Sequence, residues 1–172
     1  MSKGLPRSLS RGKAQTQAVT KIQLPINHTV TVSATGAAIG FGSVVVGGLP
    51  EGYLKILSAA IQVQFSGSGA DANLVDTFDG DFGVGSTPAS DATITAGDVD
   101  FISSTALGAA TAEVSPLLTV ADGVDLVLDN TAADLELNLN VLIDAANITD
   151  DTSVDLTATG ILEVVLVTML DD

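Results

Sequence analysis

Apolar and polar residues alternate most strictly between Asp134 and Asp144, where Leu135, Leu137, Leu139, Val141 and Ile143 interleave with Asp134, Glu136, Asn138, Asn140 and Asp144. Successive strand side chains point to opposite sides, so this spacing predicts a half-buried β-strand with one apolar and one wet face, broken only by Leu142. The same spacing would wind all round a helix of period 3.6. Upstream, Val124, Leu126 and Leu128 alternate with Asp125, Val127 and Asp129, and Asn130-Thr-Ala-Ala133 reads as a bend. The two runs together predict an antiparallel hairpin.

The remaining pattern is also of strand type. Thr29-Val-Thr-Val-Ser33 is a short β-branched run, and β character starts as early as Lys21. Ser43-Val-Val-Val46 follows three glycines, and Gly47-Gly-Leu-Pro-Glu-Gly52 is a turn in which Pro50 presets φ. Tyr53 to Phe65 is a strand with Gln62 and Gln64 on its wet side, and Ser66 to Ala70 is a loop. Asp71 to Ser90, with Phe78 and Phe82 among aspartates and glycines, reads as an irregular edge strand with its turns. Between Asp91 and Ala106, Thr93, Thr95, Val99 and Ile102 fit a strand, while Ala96 to Ser103 fits a short helix with Asp98 near its N-terminus; the helix is the expectation taken. After a loop over 145–153, Val154 to Met169 places Val154, Leu156, Ala158, Leu162, Val164 and Leu166 on one face. Its other face changes from polar (Asp155, Thr157, Thr159) to apolar (Ile161, Val165, Val167, Met169), which marks those four residues as a contact for a second sheet or another subunit.

About eight short strands, rich in Thr and Val and separated by turns, predict an all-β fold, an antiparallel β-sandwich of jelly-roll type, with an immunoglobulin-like topology as the alternative. At 172 residues the chain suits one domain that buries about 70% of its unfolded surface. It has no cysteine, so no disulfide or thiolate metal site is available. Its longest apolar run is too short to span a bilayer, and its start lacks the apolar stretch of a secretory signal, so neither membrane insertion nor export by that route is expected.

Charge divides the chain. Lys3, Arg7, Arg11, Lys13 and Lys21 give residues 1 to 21 a charge of +5, while all 21 acids and the one remaining cation, Lys55, leave residues 22 to 172 at −20. Residues 1–21 are therefore expected to be a flexible basic arm, too poor in apolar side chains to fold alone, and residues 22–172 the sandwich. Such a body repels nucleic acid and anionic membranes.

Candidate chemistry is sparse. His28 is the single histidine, and no Gly-x-Ser-x-Gly elbow or Gly-Lys-Ser/Thr phosphate loop occurs. Asp76, Asp79 and Asp81 are the best oxygen ligands for a hard cation, but they lack the spacing and distal Glu of a calcium loop, and the expectation is a solvated turn without metal or cofactor. One Tyr, five Phe and no Trp argue against the aromatic platforms of carbohydrate binding. No catalytic residue is assigned, and the chain is expected not to be an enzyme.

The last third, with Leu126-Val-Leu-Asp-Asn-Thr-Ala-Ala133, Leu137-Asn-Leu-Asn-Val-Leu-Ile-Asp-Ala-Ala-Asn-Ile148 and Leu156-Thr-Ala-Thr-Gly160, resembles the C-terminal sandwich of capsid-associated structural proteins of tailed bacteriophages. The resemblance implies a virion component on the capsid surface, a decoration or cement protein bound to the major capsid protein, and a homo-oligomer, commonly a trimer. Under it Lys3, Arg7, Arg11, Lys13 and Lys21 are expected to contact the shell. The alternatives are a jelly-roll shell protein whose arm neutralises packaged nucleic acid, a head-fibre or tail component, and a hydrolase or carbohydrate-binding module.

Overall fold

The computed structural model describes residues 19–35, 38–68, 72–132 and 134–169. Their strands are β1 (Val19–Ser33), β2 (Gly40–Gly48), β3 (Gly52–Ser66), β4 (Gly80–Gly85), β5 (Ile102–Ala106), β6 (Leu118–Asn130), β7 (Glu136–Ile143) and β8 (Ser153–Met169), with one turn of 3-10 helix over Ala96–Asp98. β1 pairs with β8, β2 with β7, β3 with β6 and β4 with β5, all antiparallel. The strands are thus matched from the outside inward, like one long hairpin with its tip at β4 and β5. Folding that hairpin across itself lays β8 beside β3 and β7 beside β4.

The resulting strand order is β5-β4-β7-β2-β1-β8-β3-β6. β1 and β2 are in register at a single pair, Ser33 with Phe41, so the order bends there into two four-stranded layers. We call β1-β8-β3-β6 the first sheet and β2-β7-β4-β5 the second. This is the jelly-roll sandwich, as the alternation predicts. Its two outermost strands approach each other: the Ser103 amide of β5 donates to Asp122 Oδ2 of β6 at 2.6 Å. An inward-turned carboxylate on an edge strand also discourages pairing with another chain.

Between the layers lies a core in which Ile56, Ile61, Val63, Phe65, Leu137, Leu139, Leu156 and Leu162 are all at most 1% exposed. Phe65 of the first sheet meets Phe82 of the second with centroids 5.6 Å apart and planes tilted by 57°, a ring contact worth about 1 kcal/mol beyond its buried area.

Three expectations need correction. β6 and β7 do not form a hairpin; β6 pairs with β3, and β7 lies between β2 and β4. The bend after Asn130 carries the chain from one layer to the other, a crossing that alternation within each strand does not encode. Nor is β4 an edge strand, since β5 flanks it. The expected helix within 91–106 shrinks to one turn opened by Thr95 as N-cap with Asp98 as its third residue, and Ile102–Ala106 is strand β5.

A fourth correction concerns β7. Its supposed wet face is buried, with Asn138 6%, Asn140 0% and Leu142 7% exposed. The cover is the connection from β4 to β5, which turns back over the outer face of the second sheet. Asn140 pins it: the carboxamide donates to Thr87 O (3.0 Å) and Asp98 O (2.7 Å) and accepts from the Ala89 amide (2.8 Å). Glycine lets the layers touch, because a Cβ on Gly85 would stand 2.0 Å from Gly97 O. Asn130, 2% exposed, ties the opposite connections together by donating to Leu49 O and Pro50 O and accepting from the Leu135 amide.

Asn140→Asp would keep the shape but aim a carboxylate oxygen at two buried carbonyls. The variant is expected to lose about 3 kcal/mol or more of stability, seen as a lower urea midpoint together with faster proteolysis between Ser86 and Asp100. An unchanged midpoint would show that Asn140 does not hold the connection.

Candidate interaction surface

The two sheets differ in what covers them outside. The second carries its own β4–β5 connection, whereas the outer face of the first is formed by strand side chains alone among the described residues. On β8 this face presents Ile161, Glu163, Val165, Val167 and Met169; on β1, Lys21 and Gln23; on β3, Lys55, Leu57, Ala60 and Gln62; on β6, Thr119, Gly123, Asp125 and Val127.

Alternation explains the placement. From Val154 to Leu166 the inward residues of β8 are all buried at 2% or less, except Gly160, which has no side chain, so the odd-numbered residues must face out. β3 adds an irregularity between Ile56 and Ser58, a bulge that turns Leu57 outward to 37% exposure. Val19 at 64% and Val127 at 58% extend the apolar surface towards the same end. Neither residue was singled out from sequence; Val127 does interrupt the polar face of β6, and that was the available signal.

Of the four apolar residues expected as a subunit contact, Ile161, Val165 and Met169 are half-buried on this face. Val167 is only 9% exposed, covered within the chain itself, and offers little to a partner. Of the five arm cations, Lys3, Arg7, Arg11 and Lys13 lie outside the described residues. Lys21 does not belong to an arm: it is in β1, opposite Val165, and its Nζ is 2.6 Å from Glu163 Oε1. Hydrogen bonding from Lys21, and then from Gln23, holds the Glu163 carboxyl below its ordinary range. Lys55 makes a second ion pair with Asp125 at 3.0 Å. Beside these charges Ala60, Ile61, Gln62, Thr119, Ile161 and Glu163 line a shallow hollow of about 200 Å³.

Of the other candidate residues, Asp79 and Asp81 lie near each other. His28 is half-buried on β1 opposite Ala158. Asp79 Oδ1 accepts from the Gly80 amide, and Asp76 uses its carbonyl to accept from the Glu113 amide. Among the described residues no group of three or more His, Asp or Glu is placed to hold a metal. The described aromatic rings are largely internal, with Phe65, Phe78, Phe82 and Phe101 at most 1% exposed. No helix among the described residues is long and apolar enough to cross a membrane.

These features define an acidic jelly-roll sandwich with one open sheet face on which both described lysines are paired with carboxylates. No family model matches the sequence, and no curated protein matches it. Among solved structures the chain is similar to one in "Structure of infectious bursal disease virus Gt strain", with 11% identity and a TM-score of 0.35 over 88% of this chain and 32% of that one. The present chain therefore spans about a third of the length of that chain.

Burial raises the Asp81 carboxyl above the usual aspartate value, and the nearby Asp144 and Asp79 carboxylates raise it further. The folded chain thus keeps a proton at Asp81 at a pH where the unfolded chain has lost it. Stability from this group falls as pH rises from the ordinary value of 3.8 through the raised one, and it is lowest at neutral pH. Asp81→Asn is expected to raise the urea midpoint at neutral pH, with the gain fading on acidification; an equal gain at every pH would refute the assignment.

Proposed function

We propose that the protein is a non-enzymatic virion structural protein that decorates or cements the capsid of a tailed bacteriophage. The observation that carries this reading is the segregation of charge: four cations and no acid precede Val19, while residues 19 to 172 carry −19. A short basic segment joined to an acidic sandwich suits attachment through that segment with the body held off the shell. The jelly roll supports the reading, being an architecture used in viral capsids as well as in lectins and cupins. The internal position of most aromatic rings speaks against the lectin use of the same fold.

Lys3, Arg7, Arg11 and Lys13 are the shell contacts in this proposal, with the major capsid protein as partner. Lys21 is dropped from that set because it is engaged with Glu163 in the sheet. A second reading, a jelly-roll shell protein whose basic segment neutralises packaged nucleic acid, is favoured by the strand order itself but opposed by the charge of the body.

The test uses heads of the phage that carries the protein, stripped of it and mixed with either the full chain or a chain lacking residues 1 to 18. The full chain is expected to co-sediment at a fixed ratio to the shell subunit. The truncated chain should stay in solution with an unchanged β-type circular dichroism spectrum, because β1 starts at Val19. Equal sedimentation of both would overturn the role of the segment. Binding of the full chain to duplex DNA that falls steeply with salt would transfer the assignment to the second reading.

A further inference from the structure

Copies of a body whose residues 19 to 172 carry −19 repel one another over most of their surface. The outer face of the first sheet is the exception. Lys21 and Lys55, the two cations among the described residues, both stand on it, and each is paired there with a carboxylate, Glu163 and Asp125. Around the two pairs lie Val19, Leu57, Val127, Ile161, Val165 and Met169, all exposed or half-buried. Asp129, outward on β6 just beyond Val127, has Thr131 rather than a lysine as its partner and marks the acidic edge of the face. A basic partner would be drawn to the acidic remainder of the molecule; a face whose central charges are already paired, with apolar side chains between them, is matched by another of its kind.

We infer that this face binds a second copy of the chain, front to front, about a two-fold axis lying in the contact and crossing the strands near Ser58 and Gly123. Those two residues face each other across β3 and β6. Thr119, at the hollow, and Val127, the exposed knob, sit on β6 at equal distances to either side of Gly123. Rotation about the axis reverses the strand direction and brings Val127 of each copy over the hollow of the other. A contact of this kind uses one patch twice and closes on itself. It departs from the trimer that the family resemblance implies, and it holds whether or not the protein sits on a capsid.

The size is adequate. Four strands about 4.8 Å apart and eight residue steps of about 3.3 Å give roughly 500 Å² of face per copy, so the pair buries roughly 1,000 Å², where specific interfaces begin. Gly123 leaves the axis open, since a Cβ there would have nothing within 4 Å.

Sedimentation equilibrium of the full chain, the Gly123→Arg variant and the Val127→Asp variant tests this. The unmodified chain is expected to show a monomer–dimer equilibrium that tightens with added salt, because salt screens repulsion between the bodies. Gly123→Arg sets two arginines against each other at the axis without the carboxylate that Lys21, on the same line across the strands, has in Glu163, and it should weaken the dimer at least tenfold with the β-type circular dichroism spectrum unchanged. Val127→Asp should weaken it similarly, so the reading does not rest on one variant. A chain that stays monomeric up to high micromolar concentration, an odd-numbered assembly, or a dimer indifferent to both substitutions would overturn the inference.

Discussion

The continuous register between β1 and β8, from Val19 opposite Val167 to Ser33 opposite Ser153, is the constraint on which the rest of the molecule depends. It joins segments from the two ends of the described chain, and once it is made the remaining pairs nest inside it, β2 with β7, β3 with β6, β4 with β5. Closing a long loop costs little more than closing a medium one, because the entropy grows only with the logarithm of length. The cost is kinetic, since nearly all the stabilising contacts are non-local and must wait for distant segments to meet. β8 is held on both sides, by β1 and β3, and its centre tolerates only glycine. Gly160 has φ +159°, and a Cβ there would lie 1.9 Å from the carbonyl oxygen of Gln62.

From that frame the two outer faces follow different logic. A sheet face left to water must be polar, and one covered by its own chain must satisfy the polar groups that the cover brings. The second sheet takes the latter course, and Asn140 is the means: a buried carboxamide that matches two carbonyls and one amide of the returning connection. Leaving such groups unmet would cost about 1–3 kcal/mol each, so the position specifies where the connection lies as well as stabilising it. The first sheet has no such lid among the described residues, and its outer surface is neither consistently polar nor covered.

Much of the architecture was legible in the sequence, and the failures have a common cause. Period-two alternation identified β3, β6, β7 and β8 and the inward face of β8, because one buried side is all that alternation encodes. It could not tell that the polar side of β7 lies under a loop, since a buried asparagine and a wet one look alike in a strand. It also paired β6 with β7 by proximity along the chain, whereas the jelly roll pairs by nesting. The interaction face was half visible. The change from Thr159 to Ile161 and Val165 on the outer side of β8 pointed to it, but its neutrality depends on Lys21 meeting Glu163 and Lys55 meeting Asp125 across strands. No local pattern reveals those pairings, and Lys21 was read with the basic arm for that reason.

The two ion pairs are best understood through the charge they remove. As surface bridges they contribute little to folding, and salt weakens them. Their larger effect is on the map of potential around a body that is otherwise acidic. Every approach to such a body meets repulsion from like-charged molecules, and the repulsion is weakest where each carboxylate already has its cation. Placing both described lysines on the one face that also exposes Val127 and Leu57 therefore concentrates apolar surface and neutrality at the same spot. In the inferred dimer an acidic body elsewhere and paired charges here are one arrangement: the first would keep copies apart in other orientations, and the second would admit them in this one.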